Sequence, residues 1–184
     1  MSKSKGVLLG DKNGVTVKNC NLSGYEITIY LTDSKNSLVV NNSIMTDGGG
    51  IFTLYSSYIQ IIGNIVKSAG AGSDGIIVTS SPQLNKISSN NTISLNILDN
   101  MAIGIGIAGS GNIIQNNKVT NRYHGFEIVG SITKDNIIRY NNITDNGVGI
   151  WIDDHINNNI FYNNNLINNS DGVDMLGGCF NNSF

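Results

Sequence analysis

Apolar residues return along the chain in short alternating runs, most of them opened by glycine, at 25–31, 50–55, 75–80, 101–107, 125–130, 147–152 and 172–176. Alternation with a period of two marks a strand with one buried face. With Ile27, Ile51, Ile76, Ile103, Phe126, Val148 and Val173 as the first inward residues, the runs recur about every 24 residues. A second anchor keeps the same rhythm at Asn21-Leu22, Asn42-Ser43-Ile44, Gly63-Asn64-Ile65, Asn96-Ile97, Asn117-Lys118-Val119, Asn142-Ile143 and Asn164-Asn165-Leu166. Several short strands per period and no helical pattern predict an all-β solenoid, a single-stranded parallel β-helix. Its coils, about 7 to 8 of them, rise one strand spacing each and make a rod roughly 35 Å long. Crossovers between parallel strands are right-handed, so the helix is expected to be right-handed too.

Composition explains how such a coil closes. The chain holds 30 Asn and 28 Ile among 184 residues, with a single Pro. β-branched Ile favours strands, whereas Asn is a poor helix former that tolerates the left-handed region at tight turns. Ile is therefore expected in the inward ladders and Asn at the corners, each Asn passing a side-chain amide bond to the next coil. Asn21, Asn64, Asn96, Asn142 and Asn165 are expected to be equivalent. The repeat makes residues 1–184 one domain, and stretches 67–75 and 79–91 exceed the period and should be loops at coil corners.

Charge excludes some partners. A net charge of -2 without a Lys/Arg cluster argues against nucleic acid. No apolar run approaches the roughly 20 residues of a membrane span, and the first residues lack the apolar core of a secretory signal. Cys20 and Cys179 lie in the first and last coils, roughly 30 Å apart by strand spacing, so both should be free thiols. Neither end shows an obvious cap for the core. The expectation is therefore a segment of a longer protein, end-to-end self-association, or cover from Phe180 and Phe184.

The Gly-Ile-x-Ile runs followed by Asn-x-Ile-x-x-Asn resemble the right-handed parallel β-helix repeats of the NosD-like and pectate-lyase-like superfamily. The resemblance covers roughly residues 6–180. It implies the fold, and it implies glycans as partners, since members include polysaccharide lyases, hydrolases, uronan epimerases, glycan-binding surface proteins and adhesin stalks. An extracellular or cell-surface location follows from the same likeness.

In a background of Ile, Asn and Gly, candidate chemistry rests on the residues that break the pattern. Strand alternation with Phe126, Ile128, Val148, Ile150 and Ile152 inward points Glu127, Gly149, Trp151 and Asp153 outward, joined by Asp174 on the next coil. Gly104 and Gly106 should leave the surface open beside Glu127. The only Trp and both His gather here, with Arg122, Tyr123 and His124 on one coil and Asp153, Asp154 and His155 on the next. Uronan lyases and epimerases of the superfamily abstract a proton beside a carboxylate using Tyr, His or Lys, with Arg or a cation neutralising the acid. Tyr123, His124, Arg122, Glu127 and Asp153 are the catalytic candidates on that likeness, and Trp151, Asp154, His155 and Asp174 are the substrate-binding ones. Hydrolysis is a weaker option, with Glu127 and Asp174 two coils, roughly 10 Å, apart. Asp153-Asp154 resembles the paired Asp of polygalacturonases, whose other signatures are absent. No cofactor is called for; calcium is the one ion the residues allow, through Asp145, Asp153, Asp154 and Asp171. The sequence thus points to a module that binds or processes an acidic polysaccharide, with a non-catalytic stalk or adhesin segment as the alternative.

Overall fold

The computed structural model describes residues 4–70, 72–120, 123–153 and 155–184. Strands of three to six residues wind through three sheets. The first sheet contains Lys5–Gly10, Ile27–Thr32, Gly49–Leu54, Asp74–Thr79, Ile103–Ile107, His124–Ile128, Val148–Ile152 and Asp171–Met175, hydrogen-bonded in chain order. The second sheet runs from Thr16–Lys18 to Ile160–Tyr162 and the third from Asn21–Ser23 to Asn165–Ile167, with seven strands each. Neighbouring strands pair in parallel, so each residue sits in a column of equivalents along the axis. The architecture is the β-helix that the repeat predicts.

The interior is a set of aliphatic columns. In the first sheet one inward column reads Val7, Ile29, Ile51, Ile76, Ile105, Phe126, Ile150 and Val173. The second sheet contributes Val17, Val39, Ile61, Ile93, Ile114, Ile138 and Phe161. Most of these side chains are fully buried. Each adds about 1.5–3 kcal/mol of burial, and stacking lets one coil's side chain serve as the floor of the next.

The first sheet departs from simple alternation at its entry. Ile27, Ile103 and Val148, expected inward, share an outward column with Asp74 and His124. The inward residues beside them are Ile29, Ile105 and Ile150. Between the two columns lies a buried position filled by Gly50, Gly75, Gly104, Gly125 and Gly149. Added to Gly75, a Cβ would stand 2.4 Å from the Gly104 carbonyl oxygen and 2.5 Å from the Leu98 side chain. The strand passes so close to the third sheet that only a bare backbone fits, and the extra residue shifts the register of what precedes it. Gly104 and Gly149, expected outward, belong to this packed column.

Most Asn fall into two populations. Asn42, Asn64, Asn96, Asn117, Asn141 and Asn164 form a ladder between the second and third sheets, most of it buried. In it the Asn64 backbone N–H and Nδ2 both donate to Asn96 Oδ1, at 2.9 and 3.0 Å, and Nδ2 also donates to the Val39 carbonyl. Asn91, Asn112, Asn136, Asn159 and Asn182 form a second ladder at the entry to the second sheet. The other population holds exposed corners at positive φ, such as Asn19, Asn36, Asn41 and Asn158. The expected set mixes positions. Asn64 and Asn96 are ladder members, whereas Asn21, Asn142 and Asn165 share an outward column of the third sheet. Ladder and corner positions lie within one or two residues of each other, which is why the sequence blurs them.

Of the two long stretches, 79–91 carries a short 3₁₀ turn, Pro82–Leu84, and folds back along the rod, with Lys86 paired to Asp33 and lying over the Tyr55 ring. Cys20 and Cys179 are free thiols, as expected. Phe184 stacks on Phe161 at 4.7 Å and borders an apolar hollow of 280 Å³ with Leu166 and Val173.

Candidate functional site on the first sheet

The outer face of the first sheet shows three columns. The central one reads Leu8, Tyr30, Phe52, Ile77, Gly106, Glu127, Trp151 and Asp174. Its first half is apolar and aromatic, and its second half brings in two carboxylates on either side of Trp151. Glu127, Trp151 and Asp174 therefore face outward in one line, as the alternation indicates.

His124 opens the strand that carries Glu127, and its Nδ1 lies 3.0 Å from Glu127 Oε2. The imidazole also stacks on Trp151, with ring centroids 5.0 Å apart and planes 25° from parallel. Three of the sequence candidates thus form one unit, in which ring stacking orients the imidazole and the imidazole positions the carboxylate.

Beside Glu127 the surface sinks into a depression of 160 Å³ over Gly106 and Ala108, with Ile77, Ile103 and Val129 around it. A Cβ on Gly106 would come 2.7 Å from the Ile77 Cδ1, so the Ile77 side chain leans over the glycine and walls the depression. Asp74 lines the side opposite Glu127. The strands that bear these two carboxylates are separated by one strand, roughly 10 Å between backbones, and Asp74 lies in the column of His124, offset along the strand from Glu127. Burial pushes the Asp74 pKa up, and the nearby charge of Glu127 pushes it further in the same direction.

Asp74 escapes the sequence reading. The available signal is its place before Gly75, equivalent to His124 before Gly125 and Asp171 before Gly172. The remaining candidates are less gathered. Trp151 stands between Glu127 and Asp174 in the column, so that pair does not face an open gap. Asp153 extends from the far end of its strand and is partly exposed. His155 follows at a left-handed corner with φ 60°, close to Gly178, across the sheet from His124. Tyr123 is exposed. Arg122 and Asp154 lie outside the described residues. Among the described residues no group of three or more His, Cys, Asp or Glu side chains is placed to hold a metal ion.

No curated protein sequence matches the chain. Among solved structures it is similar to the crystal structure of a hyperthermoactive exopolygalacturonase from Thermotoga maritima, with a TM-score of 0.66 and 12% identity. That match covers 95% of this chain and 55% of the other, so the chain spans about half the length of that enzyme and shares its fold. A family profile described as periplasmic copper-binding protein (NosD) matches residues 1–111 and 86–184. Together the two matches run through every coil from first to last, and the chain belongs to the NosD family.

Proposed function

We propose that the chain acts on a polysaccharide laid across the outer face of the first sheet, and that Asp74 and Glu127 hydrolyse a glycosidic bond over Gly106. The observation that carries this reading is a pair of unlike carboxylates across one depression. Asp74 keeps its proton to higher pH than an ordinary aspartate, and Glu127 is held by His124. Opposed environments of this kind separate an acid from a base. In the proposed reaction Glu127 takes a proton from a water that attacks the anomeric carbon. As that C–O bond forms, the glycosidic C–O bond breaks and Asp74 protonates the leaving oxygen. The depression between them leaves room for the water, and the Trp151–His124 stack offers an apolar platform to the next sugar.

The described residues favour this over proton abstraction beside a substrate carboxylate. The outward columns from Asp74 to Asp174 hold five acids and no described lysine or arginine to neutralise a substrate acid. The family description names copper, whose sites are built from His, Cys and Met. Here the two His stand across the sheet from each other, the two Cys lie in the first and last coils, Met101 is buried, and the exposed Met45 and Met175 lie on different sheets several coils apart. This donor set does not fit a copper centre. The same description is periplasmic, and a polysaccharide substrate agrees with work outside the cytoplasm.

A panel of neutral and uronate polysaccharides tests the proposal, followed both by new reducing ends and by the ultraviolet absorbance of unsaturated uronates. New reducing ends without that absorbance, lost in Glu127→Gln, are expected. Absorbing products would return the lyase chemistry, and no turnover or retention on any glycan would leave the stalk.

A further inference from the structure

The second sheet carries a different cluster in the same region of the rod. Its outward column reads Lys18, Val40, Ile62, Ser94, Gln115, Arg139 and Tyr162. Arg139 is clamped between its column neighbours. Its Nε donates to Gln115 Oε1 at 2.9 Å and its Nη1 to the Tyr162 hydroxyl at 2.7 Å. The guanidinium carbon lies 5.9 Å from the ring centres of both Tyr140 and Tyr162, which meet edge to face at 5.7 Å.

Two features set this cluster apart from a solvated charge. Arg139 has no acidic partner among the described residues, in a chain with 13 acidic side chains and only 11 basic ones. Of its five N–H donors two are engaged, and the clamp holds the rest in a fixed plane. The second feature is Tyr140, which has φ 56° and is exposed, at a corner where other coils place Asn19, Asn41, Gly63, Leu95, Asn116 and Asn163. A bulky residue in the left-handed region is costly, and of the two in this column, Leu95 and Tyr140, it is Tyr140 whose ring meets a guanidinium.

We infer that Arg139, Tyr140 and Tyr162 form a binding site for the carboxylate-bearing ring of a uronic acid within a glycan chain. The remaining guanidinium donors take the carboxylate as a fork, and the tyrosine rings cover the C–H surface of the sugar. The site lies on another sheet from Asp74 and Glu127 and does not depend on the hydrolytic reading.

The test is retention of the intact chain on immobilised oligogalacturonate, with its methyl ester as the neutral control. The wild type should bind the acid at least tenfold more tightly than the ester. Arg139→Gln should abolish the preference, and Arg139→Lys should restore little of it, because an ammonium lacks the fork. Tyr140→Asn, which installs the residue that other coils use, should fold normally and weaken retention several-fold. Tyr58→Asn, at an exposed left-handed corner three coils from Arg139, should bind the acid as the wild type does, and retention needs no turnover, so failure of the hydrolytic proposal leaves this result intact. Equal binding of acid and ester, unchanged retention by Arg139→Gln in a folded variant, or displacement by acetate at the same carboxylate concentration would each overturn the site.

Discussion

The first and second sheets are threaded by the same coils and present the same aliphatic columns to the core, yet their outer faces carry opposite charge. Around Gly106 the first sheet shows Asp74 and Glu127, with His124 and Trp151 packed together. On the second, Arg139 sits between two tyrosines with an amide to hold it. The difference follows from how a solenoid is stabilised. An inward residue must match its neighbours above and below, so Ile follows Ile, whereas an outward residue answers mainly to solvent. Both clusters lie beyond the point where an outward column leaves an apolar run, after Ile77 on one sheet and after Ile62 on the other.

Breaking one face should leave the other unchanged, and the sharpest break is Glu127→Gln. Turnover is expected to fall about 10²- to 10⁴-fold, the usual worth of a general base, with unaltered circular dichroism and oligogalacturonate retention. An inside–outside contrast comes next. Asn96→Ala removes the acceptor of the Asn64 amide and the donor to the Ile61 carbonyl, both buried. That should cost about 3 kcal/mol in urea denaturation. Asn21→Ala, at an exposed outward position, should change stability by less than about 0.5 kcal/mol.

Asp74 links the acidic face to pH. Its folded pKa lies above the unfolded value, because burial and the Glu127 charge oppose ionisation. Its contribution to stability is therefore complete below the ordinary carboxylate pKa and is lost as pH rises through the raised one. Thermal melts should show a small decline across that interval, absent from Asp74→Asn, which should melt slightly higher than the wild type at neutral pH. Turnover should fall along the same limb, since the acid must be protonated. The smallest effect is expected on the second face. Tyr140→Asn relieves left-handed strain but loses an edge contact and a cation–π contact, so stability should change by no more than about 0.5 kcal/mol. A larger loss would make Tyr140 a structural residue.

The coil was legible from the spacing of the apolar runs and the Asn anchors, and so were the free thiols at its two ends. Glu127 and Trp151 were legible as outward neighbours because strand alternation holds within each run. The alternation failed across Gly125 and Gly149, where close approach to the third sheet inserts a position without a side chain. That moved Val148 outward and hid the kinship of Asp74 with His124. Nothing in the sequence singled out Arg139 or Tyr140, since a clamp made by residues on neighbouring coils leaves no local pattern.

The sequence by itself determined the repeat, its length and which residue types fill the core, because stacking demands the same chemistry once per turn. Only the tertiary structure decided which carboxylate faces Glu127, which Asn are buried in ladders and which hold corners, and which side chains surround Arg139. Those pairings join residues one or two coils apart, across insertions such as 79–91, and a shift of a single residue in register exchanges the inside of a coil for its outside.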